Sequence, residues 1–187
     1  MQIHKFQLTL RVLTVGLMLT ALFIVQGCDT ESDDIPTAPA VTVDRMIEQG
    51  WGYLNDGMVD DALFTFRSAA NAEASNLEAY LGLGYAFAKA QEPINAQKNL
   101  SNVISLGEVL IANGDLDATE AEVMFAESCA GQASIALSTQ DFETVIEEAQ
   151  LAQEYWDGDM NAQHRWLPGF TMQHVMLLES QAWFGLH

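Results

Sequence analysis

Residues 43 to 110 carry nearly the same pattern twice, 34 residues apart. Met46 returns as Tyr80, Gly50 as Gly84, Trp51 as Tyr85 and Tyr53 as Phe87; Ala62 returns as Ala96, Phe66 as Leu100 and Ala69 as Val103. A period of this length marks a supersecondary unit that cannot bury its own apolar face, so neighbouring units must stack on one another. Apolar residues within each half keep a helical spacing. The chain is therefore expected to be all-α, with no sheet.

Residue sizes sharpen the pattern. In unit one a large residue (Met46), a small one four positions on (Gly50) and an aromatic three further (Tyr53) mark the first helix. Ala62, Phe66 and Ala69 then mark the second. Tyr80, Gly84, Phe87, Ala96, Leu100 and Val103 fill the same places in unit two. In this the chain resembles the tetratricopeptide repeat (TPR) family. The resemblance implies a right-handed superhelix of antiparallel hairpins, about three units over 43–76, 77–110 and 126–159, closed by a C-terminal helix over 171–185. Glycine inside a helix costs roughly 1 kcal/mol against alanine. Its return at one repeat position suggests close helix packing, with Gly50 and Gly84 expected to face Ala62 and Ala96.

The third unit is read through Val145, Ala149 and Ala152, which align with Ala62, Phe66 and Ala69 and put Cys129, Ala133 and Ala136 in the first-helix places. Ala96 and Val145 are 49 residues apart, so an insertion of about 15 separates units two and three. It is expected to lengthen the second helix of unit two through Val109 to Ile111 and to add a turn at Asn113-Gly114-Asp115. Asp117 to Glu120 reads as a capping box opening the next helix. Arg165 to Gly169 reads as a turn. Met172, Val175, Met176, Leu178, Ala182 and Trp183 then follow a helical period, with Glu179 at the edge of the stripe. Seven helices are expected over 43–187, the last covering the end of the stack.

Residues 1–27 read as a secretory signal, with Lys5 and Arg11 before an apolar stretch from Val12 to Val25. The stretch ends Ile24-Val25-Gln26-Gly27-Cys28, which resembles the bacterial lipoprotein box. That resemblance implies cleavage before Cys28, a lipid on Cys28, and a chain anchored at the bacterial cell envelope. Residues 28–42 hold the acidic run Asp29 to Asp34 and then Pro36 and Pro39, a composition too poor in apolar residues to order itself, and read as a tether. An acidic run after the cysteine resembles a surface-export signal of some Gram-negative lipoproteins. An aspartate beside the cysteine resembles an inner-membrane retention signal of enteric bacteria. The outer membrane, on its periplasmic or surface side, is the expectation carried forward.

Without residues 1–27 the chain keeps five basic residues against 26 acidic ones, a net charge of −21 with neutral histidines. Nucleic-acid binding needs a basic face and is excluded on this ground. Basic proteins or cations are suitable partners; the same charge also suits solubility in a salty habitat. Cys129 is left without an internal disulfide partner and sits at a packing position.

No catalytic set emerges. His164, His174 and His187 have no serine or cysteine in a nucleophile context. Asp157-Gly158-Asp159 opens like a calcium loop, but Ala162 and Pro168 stand where the turn glycine and the bidentate acid belong. Asp115, Asp117, Glu120 and Glu122 form a second acidic set, in which capping already accounts for Asp117 and Glu120. No cofactor or metal is expected, and the chain is read as a binding protein rather than an enzyme.

In the TPR family the inner face of the first helices forms a concave groove for peptides. Carried over, the groove is Ile47, Trp51 and Asn55 in unit one and Leu81, Tyr85 and Lys89 in unit two, with Asp44, Leu54, Glu78 and Ala88 alongside. Ile47 and Trp51 replace the polar residues that clamp a peptide carboxylate in some members, so the groove is expected to be aromatic and apolar with acidic margins. It would suit an apolar segment bearing some Lys or Arg. The alternative is that Trp51 packs against the neighbouring long insertion or the tether and meets no partner. Two functions follow: a lipid-anchored scaffold or adaptor that binds another envelope protein, or a structural subunit of a larger envelope assembly. A free groove with exposed aromatics would favour the first, and a large apolar patch on the convex face or the closing helix the second.

Overall fold

The computed structural model describes residues 41–156 and 171–186. Among these residues the fold is all-α, with seven helices and no strand: α1 Val43–Asn55, α2 Val59–Ala72, α3 Leu77–Lys89, α4 Pro93–Asn113, α5 Ala118–Ser138, α6 Phe142–Tyr155 and α7 Met172–Gly185. Short polar side chains start most of them. Thr42 accepts from the Arg45 amide, Asn76 from Ala79 at 3.0 Å and Asp141 from Thr144, so amides at the helix start that lack partners within the helix are satisfied. Asp117 caps α5 through the Thr119 amide at 2.9 Å. Pro93 begins α4, where its missing N–H costs nothing. The lengthened α4 runs to Asn113 and stops at Gly114, which is left-handed at φ 77°.

Three helix pairs share one turn. Gly57, Gln91 and Gln140 are the left-handed residues between α1 and α2, α3 and α4, and α5 and α6. In each turn an amide reaches back over the same distance: Met58 N to Tyr53 O at 2.8 Å, Glu92 N to Phe87 O at 2.9 Å, and Asp141 N to Ala136 O at 3.0 Å. The first two turns are 34 residues apart and the second two 49, the period lengthened by the insertion. The recurrence therefore extends to the third pair, although the repeat positions Ala133, Ala136 and Ala149 carry no aromatic.

The packing between helices follows the same register, through glycine and one large side chain. A Cβ placed on Gly50 would lie 2.6 Å from the Phe66 ring, and one on Gly82 would lie 2.3 Å from it. Leu100 is received in the same way by Gly84 at 2.5 Å and Gly131 at 2.9 Å. Gly50 to Gly84 and Phe66 to Leu100 are steps of 34, and Gly82 to Gly131 is a step of 49. The side chains nearest Gly50 and Gly84 are thus Phe66 and Leu100. The space that glycine leaves holds the large side chain of α2 or α4, and Ala62 and Ala96 are buried beside it. In the third pair Ala133 and Ala149 occupy the corresponding places and both are fully buried.

Each helix packs on its chain neighbours, and beyond those the contacts join α1 to α3, α3 to α5 and α5 to α7. Two clusters form the core. One runs from Ile47 to Phe125 and contains Trp51, Phe66 and Phe87. The other, from Ala126 to Ala182, is built mostly of alanine with Cys129, Val145, Met172 and Val175. Gly107 lets α4 approach α5 closely, with Phe125 and Leu77 filling the place of its missing side chain.

Candidate functional site

The six residues carried over as a groove divide by burial. Ile47, Trp51 and Leu81 are buried, at 2%, 1% and 1% exposure. Trp51 stands edge-on to Phe66, with centroids 5.3 Å apart, and lies tilted against Tyr85 at 6.0 Å. Tyr85 is half-buried and its hydroxyl donates to the Glu127 carbonyl of α5 at 2.9 Å. Burial, and then the negative charge of Glu127, raise its pKa far above the ordinary tyrosine range, so it stays a neutral donor. Lys89 is exposed along its stem, but its Nζ donates to the Leu54 carbonyl at 2.8 Å and so closes the C-terminal end of α1. Asn55 is exposed. The structure thus brings Trp51 and Tyr85 together, as the 34-residue register requires, within the packing between α1, α2 and α3. A partner touching Trp51 would first have to open that packing.

An open cleft lies next to this face. It has a volume of about 730 Å³ and is bounded by the entry to α3, the end of α4 and the first turns of α5. Its apolar lining comes from Leu77, Leu81, Leu110, Leu116, Val123 and Met124. Its charged lining is of one sign: Glu73, Glu78, Asp115, Glu120 and Glu127, with no lysine or arginine among the lining residues. Glu127 is the most enclosed of these, at 8% exposure. Leu81 belongs both to the expected groove and to the cleft, and Glu78 stood beside that groove. Glu73, Leu110, Leu116 and Met124 were not foreseen. The acidic set at 115–122 was the one sequence signal that pointed here, and Asp115 and Glu120 of that set reach the cleft. A lining of this kind accommodates an apolar side chain flanked by cations.

The remaining candidates have structural environments. Cys129 is buried and unpaired, and its thiol is pushed up to about 12 by burial and by the carboxylate of Glu148, to which it hydrogen-bonds. Burial also raises the Glu148 carboxyl, which accepts a weak bond from Gln132 at 3.5 Å. His174 closes the start of α7, accepting from the Thr171 amide at 3.1 Å. Among the described residues no group of three or more His, Cys, Asp or Glu is placed to hold a metal ion. No described helix is long and apolar enough to cross a membrane. Cys28, the signal and tether segments, the calcium-like run at Asp157 to Asp159, His164 and His187 lie outside the described residues.

No protein-family model matches the chain, and comparison with curated proteins returns no match.

Proposed function

We propose that the chain is a TPR-like scaffold, a right-handed superhelix of three antiparallel hairpins and a closing helix, held at the bacterial cell envelope by a lipid on Cys28, that recruits another protein without catalysing a reaction. The outer membrane, on its periplasmic or surface side, is the proposed site. The hairpin register in the three turns and in the two glycine sockets supports the repeat reading. The observation that carries the binding reading is the cleft of about 730 Å³, apolar within and acidic at its margins. Its partner is a protein segment that places one or two apolar side chains between lysines or arginines. Trp51 packs on Tyr85 in the core, and the Tyr85 hydroxyl ties α3 to α5 at the carbonyl of the cleft residue Glu127.

A crosslinked capture from native membranes tests this. Wild type is compared with Glu78→Lys/Glu120→Lys on the cleft margin and with Glu143→Lys/Glu147→Lys on α6, which makes the same change in charge elsewhere. One protein captured by the wild type and the α6 variant, and lost with the margin variant, supports the reading. Capture that survives the margin variant removes the cleft from it. The second reading, a structural subunit of a larger assembly, is favoured by one observation: Met176, Leu177, Trp183 and Phe184 of α7 are all at least 45% exposed.

A further inference from the structure

The outer face of α7 carries the largest exposed apolar group on any described helix. Met176 is 45% exposed, Leu177 53%, Trp183 49% and Phe184 85%, and no other described helix carries more than two large apolar side chains so exposed. The inward face is set by Met172, Val175 and Ala182, which are buried, and by Gly185, which lies against the Phe142 ring. At 100° per residue the four exposed apolar side chains centre on Ser180, which is itself exposed. Its hydroxyl donates to the Leu177 carbonyl at 2.8 Å, so it is satisfied within the helix and can be covered without losing a partner. Met176 and Leu177 lie four and three residues before Ser180, and Trp183 and Phe184 lie three and four residues after it. The face therefore reads the same in both directions about a small residue.

We infer that α7 pairs with α7 of a second copy of this chain, antiparallel, across a two-fold axis at Ser180. In that arrangement Phe184 of each copy meets Met176 of the other, Trp183 meets Leu177, and the two serines allow the helices to approach at the crossing. Charge selects this face for self-association. The chain carries a net charge of −19, so two copies repel one another over most of their surface. Along α7 the sole Asp, Glu, Lys or Arg is Glu179, and it is turned toward α6, accepting from Gln150 at 2.9 Å and Gln153 at 3.0 Å, with Trp183 adding a hydrogen bond. Two α7 helices can meet without bringing like charges face to face. The inference goes beyond the binding reading and does not use the cleft.

Disulfide trapping of the full chain in its native membranes tests it. Ser180→Cys is expected to give, on oxidation, a reducible band at twice the mass of the reduced chain. Ser105→Cys, exposed on α4, and the wild type, which retains Cys28 and Cys129, are expected not to. Adding Phe184→Glu to Ser180→Cys is expected to lower the trapped fraction about tenfold or more. Phe184 is the most exposed of the group, so the helix should form without it, and unchanged helicity by circular dichroism checks that. No trapped dimer, equal trapping at Ser105, or trapping to a chain of different mass would overturn the inference; the last would assign this face to another protein.

Discussion

The first two helix pairs and the third answer the same packing requirement with opposite residue sizes. In pair one the Phe66 ring enters the space left by Gly50 and Gly82, and in pair two Leu100 enters the space left by Gly84 and Gly131. In pair three the corresponding residues, Ala133 and Ala149, are equal in size and both fully buried. All three pairs keep the same turn. The turn and the helix spacing therefore carry the repeat, and the sizes within it can vary provided each large side chain is matched by an absent one. The glycine version costs helix propensity, roughly 1 kcal/mol per residue, and offsets it by burying an aromatic or leucine worth about 1.5–3 kcal/mol. The alanine version needs neither term.

This difference can be probed at several sites. The largest effect is expected at Phe66→Ala, which empties a socket built from two helices and should cost about 3–5 kcal/mol in urea unfolding. Ala149→Gly, at the matching place in pair three, should cost only about 1 kcal/mol. Next is a contrast within one helix. Gly50→Ala drives a methyl into the Phe66 ring and should cost about 1–3 kcal/mol. Gly52→Ala, two residues on, meets nothing within 4 Å and should stabilise by roughly 0.5–1 kcal/mol. If both glycines responded alike, the sockets would have no energetic meaning. A smaller effect is expected in the turns, where Gly57 is already glycine while Gln91 and Gln140 hold φ at 61°. Gln91→Gly and Gln140→Gly should each leave the fold unchanged and raise stability by up to about 1 kcal/mol.

The second core cluster should also respond to pH in its own way. Cys129 titrates far above the ordinary thiol value, so folding favours its protonated form. Its contribution is complete below that ordinary value and is lost as pH rises toward 12; Cys129→Ala should flatten that alkaline loss. Glu148 is raised by burial, so its contribution is complete below the ordinary carboxylate range and is lost as pH rises through its folded value. Glu148→Gln should therefore stabilise the protein at neutral pH. Glu179 shifts the opposite way, held down by the amides of Gln150 and Gln153, and contributes above the ordinary range and less as pH falls. Acid and alkaline denaturation curves of the wild type and the two variants separate these effects.

Much of the architecture was legible because it rests on spacing. The 34-residue period, the 15-residue lengthening and the Gly114 stop all translate directly into helix lengths and turns. Which side chain enters which gap was not legible. Spacing matched Gly50 with Ala62, whereas the side chain nearest Gly50 is Phe66, set by the rotation of α2. Trp51 is a similar case. The sequence allowed either a partner groove or packing against the insertion or tether, and the Phe66 and Tyr85 rings instead hold it in the seam between helices. The acid-rimmed cleft was only hinted at by Asp115 and Glu120, because its walls come from three chain segments that the insertion in α4 brings together.

The most direct test of the size-matching account is a double-mutant cycle on Gly50→Ala and Phe66→Ala, which together reproduce the Ala133–Ala149 pair of the third unit. The account predicts that Gly50→Ala destabilises by about 1–3 kcal/mol in the wild type and stabilises by up to about 1 kcal/mol once Phe66 is alanine. An equal cost of Gly50→Ala in both backgrounds would contradict it, because the glycine would then not be making room for the ring.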